Sequence, residues 1–145
     1  MRTIRNAVVA SLAAALGLGS IAFAQTGGAI SAPHTIVVKL IEQSGAMPYA
    51  FEPATFTAEH GDTIKFVQAA SVLHNVHFKG MPKGAKLGAA AVSQYLTAKG
   101  QSTSLVIDSR FVDGKYEIVC DPHEMIGMHA FLTVEGRSVA NGGTK

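Results

Sequence analysis

The stretch CDPHEMIGM at residues 120–128 decides how this sequence is interpreted. It places one thiol, one imidazole and two thioethers within nine residues. Soft sulfur together with imidazole suits copper, and two histidines, one thiolate and a weak axial methionine form a blue-copper electron-transfer site. Such a site needs a second histidine from another part of the chain.

Strand alternation selects that second histidine. Successive residues of a strand face opposite sides, and the apolar side faces the core. In a strand predicted over 73–78, His74 shares its face with apolar residues, whereas Asn75 and His77 lie on the opposite face. We therefore expect the His74 side chain to point inward.

The last two predicted strands direct two sulfur side chains to the same interior. Cys120 ends one strand on its apolar face, and Met128 begins the next on its apolar face, with His129 opposite. Phe131 falls on the outward side and breaks the alternation. The pattern predicts that Cys120 and Met128 point inward with His74.

Short strands account for most of the chain. We predict strands over 35–42, 51–59, 63–67, 73–78, 103–109, 115–120 and 128–135. Turn signals at Gly61-Asp62 and Asp113-Gly114 separate some of them. This pattern predicts an all-β sandwich or barrel of about seven or eight strands, with one loop or short helix inserted around 84–100.

The N-terminus has the features of an export signal. Arg2 and Arg5 precede an apolar run that ends in a small-x-small cleavage pattern, so we predict a secretory signal peptide over 1–24. An uncleaved membrane anchor is the alternative. We divide the rest of the chain into a flexible leader over 25–33, a domain over 34–136 and a flexible tail over 137–145. We expect the protein to be exported, to a bacterial periplasm.

Composition excludes several classes of protein. A chain of 145 residues is long enough for one domain. Without Arg2 and Arg5, 10 basic residues balance 10 acidic ones, so no nucleic-acid footprint is expected. Cys120 is the single cysteine, so it forms no intramolecular disulfide. An unpaired cysteine in an exported protein indicates a metal ligand, a reactive thiol or an intermolecular disulfide.

These motifs resemble those of the cupredoxins, the small blue copper proteins of the plastocyanin, pseudoazurin and azurin type. Residues 120–128 match the family loop Cys-x-Pro-His-x-x-x-Gly-Met, and residues 74–76, His-Asn-Val, match its upstream ligand motif. Gly-Asp-Thr at 61–63 is also typical, and the resemblance extends over 35–135. It implies a Greek-key β-sandwich and one-electron transfer between Cu(I) and Cu(II). It also implies one type 1 copper ion, with the ligands His74, Cys120, His123 and Met128.

Two residues depart from the family pattern. Asp121 stands where Ser or Thr is common, a position that braces the site through the equivalent of Asn75. As an ionised acceptor, Asp121 would favour Cu(II) and lower the reduction potential. Pro122 has no backbone N–H, so one hydrogen bond to the Cys120 sulfur is absent.

Each candidate ligand also has a structural interpretation. Without a metal, Cys120 and Met128 would be ordinary core residues. His74 would be a core histidine bonded to a carbonyl, and His123 would be a loop residue. Met125 is the rival axial ligand. The other histidines that we expect on the surface are His34, His60, His77 and His129, and a second metal site built from His77 and His129 is the alternative.

The surface near His123 predicts the partners. An apolar collar around the exposed edge of His123 would dock redox proteins. Its residues are Met47, Pro48, Pro122, Met125 and Ile126. Ordinary loop and core packing is the alternative role for them. Lys79, Lys83 and Lys86 are either solvated or steer an acidic partner. We expect a monomer.

Three functions follow from these residues. The first is an electron shuttle, and the second is a copper carrier or resistance protein using the same site. The third is an enzyme, either a copper oxidase subunit or a thiol catalyst built on Cys120 and His123. An inward-facing thiol and the absence of a substrate pocket argue against an enzyme.

Overall fold

Two four-stranded β-sheets enclose one hydrophobic core in the computed structural model, which describes residues 29–137 and 139–140. The predicted signal peptide over 1–24 lies outside the described residues and stays a prediction. The strands are β1 (Ala29–Ile30), β2 (Thr35–Glu42), β3 (Tyr49–Glu52), β4 (Thr55–Glu59), β5 (Thr63–Gln68), β6 (His77–Gly80), β7 (Ser102–Val106), β8 (Gly114–Val119), β9 (His129–Glu135) and β10 (Val139–Ala140). Two 3-10 helices span Gly88–Ala91 and Asp121–Ile126.

Most strands that pair within a sheet are not consecutive in the chain. One sheet has the order β3-β2-β5-β7 and the other the order β4-β9-β8-β6, while β1 pairs with β10. The β2–β5 and β4–β9 pairs are parallel, and the other pairs are antiparallel. The prediction of a Greek-key β-sandwich is confirmed, and the insertion around 84–100 contains one 3-10 turn.

Alternating burial along the strands builds the core. In β9, Ala130, Leu132 and Val134 are buried while their neighbours are half-buried or exposed. Aromatic rings connect the two sheets: Phe66 meets Phe78 edge-on, with ring centroids 6.3 Å apart. Such edge-to-face pairs add about 0.5–1.5 kcal/mol beyond the burial of their area.

Two predicted strands differ from the observed ones. The single strand expected over 51–59 is divided into β3 and β4, which belong to different sheets, and Pro53 at the break has no N–H for a ladder bond. The strand expected over 73–78 begins only at His77. His74 instead forms an isolated bridge, in which its N–H donates to the Leu96 carbonyl at 3.1 Å and its carbonyl accepts from Leu96 N–H at 2.7 Å.

Asp62 connects three separate segments at the end of the sandwich away from these breaks. Its carboxylate accepts hydrogen bonds from the backbone N–H of His34 and Glu59, both at 2.9 Å, and from Nη2 of Arg137 at 3.0 Å. Burial alone would raise the pKa of Asp62, but these donors hold it below its usual value of 3.8. The ionised carboxylate therefore stabilises the folded state.

We predict that Asp62→Asn lowers the free energy of unfolding at pH 7 by about 1.5–3 kcal/mol, because charged acceptors make the stronger hydrogen bonds. The pKa of Asp62 is lower in the folded protein than in the unfolded chain. This stabilisation is therefore complete above about pH 4 and is lost as the pH falls through the pKa of Asp62 in the folded state. Urea unfolding between pH 2 and pH 7 measures it. Asp113→Asn, at an exposed site, is the control, and a wild-type advantage that stayed constant down to pH 2 would contradict the prediction.

Candidate metal centre

Three side chains from distant parts of the chain meet at one end of the sandwich. His74 precedes β6, Cys120 follows β8, and His123 lies in the 3-10 helix Asp121–Ile126. The His74 Nδ1 and Cys120 Sγ atoms are 3.4 Å apart, Cys120 Sγ and His123 Nδ1 are also 3.4 Å apart, and the two Nδ1 atoms are separated by 3.1 Å. Within the described ranges, no other group of three such ligands lies close enough to hold a metal ion.

The loop over 120–128 is closed by its own backbone. The N–H of Cys120 donates to the Met128 carbonyl at 3.3 Å, and the N–H of Met128 donates to the His123 carbonyl at 3.2 Å. Gly127 ends the 3-10 helix with φ at +91°, a left-handed conformation that favours glycine. This reversal turns Met128 into the core, where it is fully buried.

Burial sets the protonation of the three side chains. It lowers the pKa of His74 to about 4, with a further contribution from neighbouring His123, and it also lowers the pKa of His123. Both imidazoles are therefore neutral at pH 7, with a lone pair available. Burial raises the pKa of the Cys120 thiol, so a metal that binds the thiolate must displace its proton.

The three ligand atoms fit one metal ion. A point equidistant from atoms separated by 3.1–3.4 Å lies about 1.9 Å from each, close to a metal–nitrogen bond of about 2.0 Å. The thiol has one proton and can donate it to only one of the two Nδ1 atoms, whereas a cation in its place would be bound by all three ligand atoms. The donor set of two imidazoles and one thiolate is the trigonal set of blue-copper sites.

A side-chain clamp fixes the spacing between His74 and Cys120. Asn75 Nδ2 donates to Asp121 Oδ2 at 2.6 Å, and the Asp121 N–H donates to Asn75 Oδ1 at 2.9 Å. Asp121 Oδ1 also lies 2.7 Å from His77 Nδ1. The expected contact between Asn75 and Asp121 is present. The outward orientation expected for Asn75 is wrong, since Asn75 is buried although the Asp121 side chain that it contacts is 38% exposed.

Exposure separates the remaining sequence candidates. Met125 is 95% exposed, which favours the buried Met128 as the axial candidate. His77 and His129 contact different carboxylates, those of Asp121 and Glu117. The part of the chain described here offers them no third ligand, so the alternative of a second metal site finds no support.

Tyr49 is a residue of this site that the sequence analysis missed. Its ring centroid lies 4.2 Å from that of His123, tilted by 40°, and 5.3 Å from that of His74, edge-on. Tyr49 begins β3 two residues before buried Phe51, so the two share a face. Extending the predicted strand backward by two residues would have placed Tyr49 inward.

We predict that Tyr49→Leu lowers the free energy of unfolding of the metal-free protein by about 1–2 kcal/mol, since the aromatic contact with His123 is lost. Tyr49→Phe keeps the ring and should change the free energy by less than about 0.5 kcal/mol. Chemical denaturation of the metal-free protein measures both. Equal losses in the two variants would show that the hydroxyl, and not the ring, is responsible.

Comparisons with known proteins agree with this geometry. A family model described as copper binding proteins, plastocyanin/azurin family, matches residues 36–135. Plastocyanin from Scenedesmus fuscus is 36% identical over 102 residues, which cover 69% of this chain and 99% of that protein. Chloroplastic plastocyanin from Chlamydomonas reinhardtii is 32% identical over 133 residues, covering 88% of each.

Solved structures show the same likeness. Oxidized plastocyanin from Dryopteris crassirhizoma superposes with a TM-score of 0.56 at 25% identity and covers 68% of this chain and 99% of its own. Pseudoazurin from Methylobacterium extorquens AM1 gives a TM-score of 0.51 at 27% identity, covering 76% of this chain and 85% of its own.

Proposed function

The chain belongs to the plastocyanin/azurin family of copper-binding proteins, and on that premise we propose that it shuttles single electrons between redox proteins through one type 1 copper ion. It is a copper-binding electron-transfer protein and not an enzyme. The convergence of His74, Cys120 and His123 carries the proposal. We assign these three as the main ligands and Met128 as the weak axial ligand.

A rigid set of ligands suits rapid electron transfer. Copper, when bound, supplies the one-electron couple between Cu(I) and Cu(II). His74 and Cys120 are fully buried, which keeps water away from the site, and the closed loop over 120–128 limits movement of the ligands. Because the protein holds the ligand positions in advance, a change of charge requires little rearrangement.

His123 gives the site its connection to the surface. It is half-buried, whereas His74 and Cys120 are shielded completely. The residues predicted to form an apolar collar around it lie at the surface, which supports that role: Met47, Met125, Ile126 and Pro122 are exposed, and Pro48 is half-buried. A small apolar surface of this kind suits a weak and short-lived redox complex, so we assign partner docking to the collar.

We also propose that the protein is exported and works in a compartment such as the periplasm. The support is the arginine-flanked apolar segment over 1–24 with its cleavage pattern. Among residues 29–137 and 139–140, no helix is long and apolar enough to cross a membrane.

Copper binding is tested by adding Cu(II) to the purified protein. We expect an intense visible absorption band and the EPR signal of a type 1 site, followed by reversible voltammetry. Cys120→Ser should lose the visible band, because the band requires the thiolate, and His74→Ala should weaken binding at least about tenfold. His60→Ala, at a histidine outside the site, is the control. A folded wild type that stays colourless refutes the proposal, whereas rapid loss of copper to a chelator favours a copper carrier.

We predict that Asp121→Asn raises the reduction potential by an amount on the order of tens of millivolts, because a carboxylate near the metal favours the more highly charged oxidised state. The side chain keeps its shape, so the contact with Asn75 can persist. Voltammetry of the copper-loaded protein measures the potential, with Asp113→Asn as a distant control. An unchanged or lower potential in Asp121→Asn would count against this role.

A further inference from the structure

Gln68, the last residue of β5, is a buried polar residue that the metal centre described above does not use. Only 1% of it is exposed. Its Nε2 donates one hydrogen bond to the Val72 carbonyl at 2.6 Å and a second to the Leu96 carbonyl at 2.9 Å. Gln68 therefore joins the loop that precedes His74 to the end of the insertion around 84–100.

The Leu96 carbonyl that Gln68 binds is also a partner of His74. The His74 N–H donates to it at 3.1 Å, and the Leu96 N–H donates to the His74 carbonyl at 2.7 Å. Val72, the other residue bound by the Gln68 side chain, lies two positions before His74 in the chain. One buried amide thus fixes both the segment that leads into the ligand and the segment that pairs with the backbone of the ligand.

The backbone of Gln68 holds the same end of the insertion. Its N–H donates to the Gln101 carbonyl at 2.8 Å, and its carbonyl accepts from the Gly100 N–H, also at 2.8 Å. The Gln101 side chain in turn accepts hydrogen bonds from the N–H groups of Thr97 and Ala98, at 2.6 Å and 3.0 Å. The turn formed by these residues is therefore anchored at the end of β5.

Burying Gln68 has a cost that packing alone does not explain. Its Oε1 atom has no hydrogen-bond partner among residues 29–137 and 139–140. Unpaired buried amide atoms cost free energy, so an apolar residue would pack here at lower cost if the two carbonyls needed no donor. The amide is therefore explained by the carbonyls that it binds, and these belong to the backbone that holds His74.

We propose that Gln68 is a positioning residue for the metal ligand His74. By holding two backbone carbonyls, it keeps the His74 imidazole in one place while the copper ion changes its charge. The Asn75–Asp121 clamp holds the side of His74 that faces the loop over 120–128, and Gln68 holds the side that faces the insertion. This inference rests on the proposed electron-transfer function and assigns a residue to the rigidity on which that function depends.

The first test compares copper-loaded Gln68→Leu with Ile64→Val, which removes a buried methylene group from the same strand. Gln68→Leu has no hydrogen-bond donor, so the position of His74 should vary. We expect this variant to bind Cu(II) at least about tenfold more weakly than wild type, to give a broader EPR signal and to have a higher reduction potential, because a loosely held imidazole stabilises Cu(II) less. Ile64→Val should lose stability but keep the wild-type affinity, EPR signal and potential.

Amide hydrogen exchange, measured by NMR in the metal-free protein, provides a readout that does not involve copper. In Gln68→Leu, the His74 N–H should exchange at least about fivefold faster than in wild type, relative to the Leu132 N–H in β9. Referring the rate to Leu132 removes the contribution of global unfolding. Gln68→Asn keeps the amide on a side chain that is one methylene shorter. It should fold even if Gln68→Leu does not, and it should give smaller changes of the same sign.

Two results would overturn the proposal. The first is a wild-type EPR signal, potential and His74 exchange rate in the folded Gln68 variants. The second is an equal set of changes in Ile64→Val, because the changes would then come from lost stability. A wild type that forms no type 1 site with copper would refute the proposed function instead, and the amide exchange would still decide whether Gln68 holds His74 in place.

Discussion

The constraint on which the structure depends is the burial of a thiol and an imidazole that face each other. His74 Nδ1 and Cys120 Sγ lie 3.4 Å apart in the interior, with neither side chain reaching water. Buried polar groups are costly unless they have good partners, and the His74 Nδ1 atom that faces the thiol has only Cys120 and His123 beside it. The surrounding fold keeps this arrangement in place and leaves a cation as its natural complement.

Long-range contacts, more than local ones, maintain that arrangement. The Asn75–Asp121 clamp joins segments separated by 46 residues, and it acts directly beside both buried ligands. Tyr49 adds a third segment by packing against His123 and His74. Because these contacts come from three parts of the chain, the ligands are held by the whole sandwich and not by the loop alone, which explains why a short loop can remain rigid.

Spacing and alternation predicted the parts of this site that depend on local sequence. The Cys120 and His123 positions follow from the loop motif, and alternation predicted the burial of His74 and Met128. The division of 51–59 between two sheets was not predicted, although Phe51 and Phe56 are five residues apart and cannot both face inward in one regular strand. The burial of Asn75 and the position of Tyr49 depend on side chains from distant segments, and a local pattern contains no information about them.

Overall composition does not describe how charge is distributed over the surface. The predicted mature chain is formally neutral, yet its ion pairs lie on different parts of the fold. Near β6 and β8, Lys79 pairs with Glu124 and Glu117 contacts His129, whereas Arg137 pairs with buried Asp62 just before β5. Charges separated by more than a Debye length of about 8 Å are largely screened from one another. Each of these groups therefore acts on its own surroundings, and a net charge near zero says little about any one surface.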